Sequence, residues 1–177
     1  MTAKTGHLEG LGPDPAEWIG VGVDHGPGDI RCERGYVLHW LEATENANPL
    51  FWDDAVAGEL EATEVAPPTM LSVWSRPLVW APGRGEPERL LALHHAMKAA
   101  FDLPEGIVAS TESVFLSPVR VGDRLSRTES VRDIGDVRTT RLGTGRNWTI
   151  DVTHRNQDGE VAGIESYEMF AYRKAGT

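Results

Sequence analysis

The sequence predicts an α+β fold, a single buried helix wrapped by an antiparallel sheet, and three observations carry that expectation. Helical periodicity is confined to the first hundred residues, whereas β-branched and partly alternating segments dominate after Gly106. Between them, Met70 to Trp80 is almost uncharged and apolar on every side, as expected of a helix enclosed by other elements. Finally, no composition shift or internal repeat divides the 177 residues, which suits one domain.

Residues 1–16, rich in Gly, Pro and Thr and without a period, are expected to form a mobile lead-in, leaving 17–177 as the single domain. Trp18-Ile19-Gly20-Val21-Gly22-Val23 reads as a first strand, closed by a turn at Pro27-Gly28. From Cys32 to about Ala43, the apolar residues Tyr36, Val37, Trp40 and Leu41 recur at helical spacing and predict an amphipathic helix. Asn48 before Pro49 is biased away from the helical region, so the chain turns directly after it. The buried helix follows Pro67-Pro68 and is expected to end or kink at Pro77. Residues 81–106 read as an excursion containing a short helix around Arg89 to Met97. Val108–Pro118, Arg124–Arg132, Arg138–Val152 and Val161–Tyr172 are then four strands in a meander, the last two joined by a hairpin turn at Asn156-Gln157-Asp158-Gly159.

Composition narrows function. Seventeen basic and 27 acidic residues give a formal charge of −10, which argues against nucleic acid and anionic membranes as partners. Arg120, Arg124 and Arg127 nevertheless form a local basic group that can hold a phosphorylated carrier such as coenzyme A. Cys32 is the only cysteine, so no intrachain disulfide or cysteine metal cage is expected, which fits a reducing, cytoplasmic location. Neither a signal peptide nor a membrane span is legible.

Three motifs in order, Glu45-Asn46-Ala47-Asn48-Pro49-Leu50-Phe51-Trp52-Asp53, Val65-Ala66-Pro67-Pro68-Thr69-Met70-Leu71 and Ser117-Pro118-Val119-Arg120-Val121-Gly122-Asp123-Arg124-Leu125, resemble those of the MaoC-like hot-dog hydratases and dehydratases over roughly residues 17–173. The resemblance implies a hot-dog fold. In active members an Asp and a His five residues apart polarise water for addition to an enoyl thioester; the corresponding positions here are Asn46 and Phe51. Asn takes up no proton and Phe offers neither donor nor acceptor, so no catalytic residue is expected in this loop.

Such a retained loop with a lost dyad is similar to the accessory subunits of mycobacterial-type fatty acyl dehydratases and of the steroid-side-chain enoyl-CoA hydratase. That likeness implies a non-catalytic subunit that accommodates a bulky, steroid-type acyl-CoA beside a catalytic MaoC-like hot-dog partner, as a heterodimer or dimer of heterodimers. Phe51, Trp52, Met70, Val73 and Trp74 are then candidates to line the acyl tunnel, with Trp80 a further aromatic there. Arg120 or Arg124 would contact phosphate, and the Thr69 N–H stands at the family's oxyanion position, where an N-cap is the plainer reading. No cofactor is implied beyond the coenzyme A of the substrate. Two other readings remain: a homodimeric acyl-CoA-binding regulatory module, and an autonomous hydratase using Glu45 as base. His94-His95 lack a third ligand at suitable spacing, so no metal is expected; His39 and His154 read as surface residues.

Overall fold

The computed structural model describes residues 4–5, 8, 10–83, 85 and 89–175. The described elements are β1 (Lys4–Thr5), α1 (Pro15–Trp18), β2 (Val21–Pro27), α2 (Arg34–Ala43), α3 (Asp54–Glu59), α4 (Ala92–Ala100), β3 (Glu105–Phe115), β4 (Ser126–Ile134), β5 (Arg138–Thr140), β6 (Gly143–Arg155) and β7 (Val161–Arg173). Two 3-10 turns, Pro49–Phe51 and Pro68–Val73, stand on either side of α3.

Among the described residues the strands form one seven-stranded sheet in the order β1-β2-β4-β6-β7-β3, with β5 paired to β6. All of these pairings are antiparallel except β1 with β2. The expected meander is therefore corrected. β3 does not lie beside β4 but crosses to the far edge and pairs with β7, from Glu105 opposite Tyr172 to Phe115 opposite Gly163. Alternation reports which face a side chain takes and says nothing about which strand lies alongside. The β6–β7 hairpin does fall at 156–159, although only Gly159 takes a positive φ, 82°.

The first strand begins at Val21 rather than Trp18, because Asp14 caps the amide of Ala16 and Pro15 starts a short helix that ends at Trp18. Trp18 is buried, and its indole N–H donates to the Gly12 carbonyl at 2.8 Å. The end of the expected lead-in is thus tied to the body; residues 1–3, 6–7 and 9 lie outside the described residues.

The largest correction concerns the buried helix. Pro67 and Pro68 contribute no amide donors, and the segment after them makes only a 3-10 turn through Val73. Regular helix resumes at Ala92, so the segment read as an excursion supplies α4, which packs on β4 and β2. Leu93 and Met97 of α4 share a core with Trp18, Val131, Trp148, Ile150 and Met169. The second core, around Val37, Leu41, Met70, Leu71 and Trp74, lies under α2 and the Pro68–Val73 turn. Val79 and Trp80, expected to be enclosed, are exposed. An apolar run seeks cover, but a proline at 77 breaks the periodic backbone that would turn it toward one.

The new helix start is built around a buried carboxylate. Glu129 on β4 accepts from the Ala92 amide at 3.2 Å and the Leu93 amide at 3.1 Å, and lies 2.9 Å from His25 Nε2 on β2. A negative charge at a helix N-terminus satisfies orphan N–H groups and complements the helix dipole.

Candidate functional site: the Asn-Pro loop and its apolar cavity

After α2, Glu45 turns the chain with a left-handed φ of 50°. Asn46 Oδ1 accepts from the Asn48 amide and Asn48 Oδ1 from the Leu50 amide, both at 3.0 Å. These successive side-chain-to-backbone turns consume both asparagine oxygens in shaping the loop. The Trp52 indole closes it by donating to the Asn46 carbonyl at 2.7 Å, and Asp53 caps α3.

The two positions that would carry a dyad face different spaces. Asn46 borders an open surface groove with Glu45 and Trp52, whereas Phe51 is buried beside Met70, Leu71 and Trp74 and lines a cavity of about 360 Å³. Arg34 holds the Phe51 carbonyl at 2.9 Å. Leu71, Pro68, Val119, Phe115 and Ala162 complete an apolar wall, and Arg120 stands at its polar side. The rim is fixed where Ala66 N donates to Val119 O and Val121 N to Glu64 O, each at 2.8 Å. A cavity so lined takes an apolar chain by excluding water and offers it no acid/base pair from the Asn-Pro loop.

Of the candidate lining residues, only Phe51 lies on this cavity. Met70 and Trp74 are closed in the core, with the Tyr36 ring edge-on to Trp74 at 6.4 Å, and Val73 is a half-buried neighbour. Trp52 belongs to the outer groove, and Trp80 is exposed. Thr69 is exposed and absent from the lining, while its neighbours Pro68 and Leu71 take the cavity side. Sequence reasoning missed Leu71, Val119, Phe115 and Ala162, which come together only because β3 pairs with β7 and the 116–120 segment returns over the Pro68–Val73 turn. The Pro-Val-Arg-Val-Gly-Asp motif signalled that segment but not the side it presents.

The basic group also separates. Arg120 Nη1 donates to the Thr63 carbonyl at 3.0 Å beside the cavity lined by Phe51, while Arg124 Nε donates to the Gly28 carbonyl at 3.0 Å. Arg127 is buried on the inner face of the sheet, donating to the Ser75 carbonyl at 2.7 Å. His154, read as a surface residue, is in fact 1% exposed and bonds Ser75 Oγ at 2.9 Å and Glu165 Oε2 at 3.1 Å. A strand residue one step from a hairpin still points inward when its register does. His39 is exposed as expected.

His94 is buried, with the Trp148 indole donating to its Nδ1 at 3.2 Å. Burial first, then the charges of His95 and Lys98, lower its pKa from 6.5 to about 4. Burial pushes the Cys32 thiol up to about 12, with Asp123 and Glu33 adding to the effect, so it is not a thiolate nucleophile near neutrality. Among the described residues no group of three or more His, Cys, Asp or Glu is placed to hold a metal, and no helix is long and apolar enough to cross a membrane.

Comparison with known proteins agrees with this arrangement. A probable enoyl-CoA hydratase alpha subunit from Thermomonospora curvata is 29% identical over 143 residues, which are 80% of this chain but 45% of that protein. The chain therefore spans less than half the length of this curated relative. Among solved structures, the ChsH1-ChsH2 complex from Mycobacterium tuberculosis matches with a TM-score of 0.73 at 20% identity, covering 88% of this chain and 91% of that one. A MaoC-like dehydratase from Rhodospirillum rubrum matches with a TM-score of 0.61, also at 20% identity, covering 88% and 93%. The solved structures share the hot-dog fold of this chain; the family model described as "FAS1-like, dehydratase domain region" matches residues 17–164, and the chain accordingly belongs to that family.

Proposed function

We propose that this chain is the non-catalytic, substrate-accommodating subunit of a heteromeric 2-enoyl-CoA hydratase that acts on bulky acyl-CoA esters, a steroid side chain being the type of acyl group in view. The observation that carries the reading is Phe51. At the position where the family places its histidine, an apolar ring forms the wall of an acyl-sized cavity, and Asn46 spends its side chain on the turn. The chain's own part is to desolvate and position the acyl group. Phe51, Leu71 and Val119 enclose it, and Arg120, with N–H donors beyond the one given to Thr63, stands where a phosphate of coenzyme A can approach. The partner hot-dog subunit would supply the Asp and His that add water, and no cofactor beyond the coenzyme A of the substrate is required.

The likeness to a protein named as an alpha subunit, and to structures named as the ChsH1-ChsH2 and HadBC complexes, supports a two-subunit arrangement. So does β3, an 11-residue edge strand whose residues are exposed from Gly106 to Phe115. An uncovered edge of that length is a template for another chain, and Ile107, Val108, Val114 and Phe115 add apolar surface to it. The same edge favours, as a second reading, a homodimeric acyl-CoA-binding module. Glu45, exposed in the outer groove, does not border the cavity and gives the autonomous-hydratase reading no support. A single buried cysteine fits a cytoplasmic setting.

The test is loss of enoyl-thioester absorbance with short, long and steroid 2-enoyl-CoA esters. The purified chain is assayed alone and with a hot-dog subunit that keeps Asp-x-Asn-Pro-x-His. Activity only in the mixture is expected; turnover by the isolated chain would sink the proposal, and tight self-association with ligand binding but no activity in any mixture would favour the homodimeric module.

A further inference from the structure

The outward side of α4 carries charges that nothing else in the fold consumes. Arg89, ahead of the helix, His95 and Lys98, three residues apart on it, and Asp102, just past it, line one open cavity of about 340 Å³. Ala99, Leu103 and Pro104 make up the apolar part of its lining, and no residue is shared with the cavity of Phe51. Asp102 is already answered: Arg173 holds its carboxylate and donates to its carbonyl at 2.9 Å. The ion pairs at this end, Arg173 with Asp102 and Lys174 with Glu105, leave Arg89 and Lys98 without a carboxylate among the described residues. In a chain of 27 acidic and 17 basic residues, two unanswered cations at one cavity run against the sign of the whole molecule.

Lys98 is held in place by its stem. The residue is half-buried and lies by Gly106 at the start of β3, where a Cβ would fall 3.5 Å from Lys98 Cδ. A lysine in the last turn complements the helix dipole, but that role asks for one cation and leaves Arg89 and His95 at the same cavity unexplained. The charges of Arg89 and Lys98 bear on the His95 ring. After burial they are what lower its pKa, with Glu129 of β4 acting the other way and the His94 ring edge-on at 5.4 Å. Near neutrality His95 is therefore an uncharged imidazole with one N–H to give.

We propose that this cavity binds the phosphate of a phosphate monoester, Arg89 and Lys98 matching its charge and His95 donating a hydrogen bond. Charge selects the class. Near neutrality a phosphate monoester carries about −1.5 to −2, which two cations offset once Asp102 is neutralised by Arg173, whereas a carboxylate brings only a single charge. The guanidinium fork of Arg89 suits two phosphate oxygens, and Lys98 acts as a point charge beside it. Ala99, Leu103 and Pro104 give the ester's carbon body an apolar surface without enclosing it. None of this depends on the chain working on acyl thioesters.

Phenyl phosphate and benzoate, alike in ring and different in charge, are the probes, titrated into the intact labelled chain at about 0.15 M salt and at a pH above the second phosphate pKa of about 6. Saturable amide NMR shifts at Arg89, His95, Lys98 and Leu103 are expected with phenyl phosphate, benzoate binding about tenfold more weakly. A bound dianion also offsets the two cations, so the His95 pKa should rise on saturation, read from its ring protons. Arg89→Gln, at an exposed side chain, and Lys98→Met, which keeps the stem beside Gly106, are each expected to weaken phenyl phosphate about tenfold with the rest of the spectrum unchanged. Competition separates two sources of the phosphate. Displacement by coenzyme A but not by its form lacking the ribose phosphate would trace it to the carrier of a thioester; displacement by neither would identify a separate small ester. No saturable shift at these residues, benzoate binding as tightly as phenyl phosphate, or undiminished affinity in both variants overturns the proposal.

Discussion

Phe51 joins the two roles that the Asn-Pro loop retains, because one ring both closes the core and forms the cavity wall. Removing it takes away buried surface and leaves a hole in the core it shares with Met70 and Leu71. Phe51→Ala is expected to lower unfolding free energy by about 3–5 kcal/mol, measured by urea denaturation. Introducing an Asp and a His by Asn46→Asp with Phe51→His should leave the isolated chain inactive toward enoyl-CoA esters, because Asn46 borders the outer groove and not the cavity. Enoyl-thioester absorbance checks this. His94 gives a pH prediction at the same scale. Its pKa is lowered from 6.5 to about 4 in the folded chain, so between those values the unfolded chain binds the proton and the folded one does not. Its contribution is complete above pH 6.5 and is lost as pH falls toward about 4, a loss on the order of 3 kcal/mol. Denaturation midpoints across that window should flatten in His94→Gln, which keeps an acceptor for the Trp148 indole.

At the level of elements, the helix expected from Met70 to Pro77 is only a 3-10 turn, and Glu129 is what permits regular helix to begin at Ala92 inside the protein. It answers two amide groups of α4 and faces His25. Glu129→Ala leaves those amides without their acceptor and removes the carboxylate beside His25, and is expected to cost about 3–5 kcal/mol with faster amide hydrogen exchange at the start of α4. Gly163 sets the approach of two other elements, the Pro68–Val73 turn and β3. A Cβ there would fall 2.7 Å from Leu71 Cδ2 and 2.7 Å from the Val114 carbonyl oxygen. Leucine can swing aside, but the β3 backbone cannot move without lengthening its ladder to β7. Gly163→Ala should destabilise by about 1–3 kcal/mol in thermal or urea unfolding.

At the scale of the whole molecule, surface apolar groups gather on β3 and on the Leu78–Trp80 segment. The proposed partner subunit is expected to use the β3 edge. Replacing Val108 and Val114 with lysine puts charge on both sides of that edge at exposed positions, so the isolated chain should keep its stability within about 0.5 kcal/mol. Association with the catalytic subunit, followed by sedimentation, should be lost. Unchanged association would place the interface elsewhere, with the exposed Val79 and Trp80 the next surface to test.

The sequence by itself determined the elements whose cause is local. The spacing of Val37 and Leu41 set α2, Asn-Pro set the loop, Asp158-Gly159 placed the hairpin, and the three motifs pointed to a hot-dog dehydratase family. Tertiary structure alone decided what depends on residues far apart in the chain. It sent β3 to the edge beside β7, packed α4 on β4 and β2, and turned His154 inward to Ser75 and Glu165. The physical reason is range: propensity and capping act over a few residues and are written in the local pattern, whereas strand adjacency, cavity lining and paired buried charges arise only when packing brings distant segments to one face.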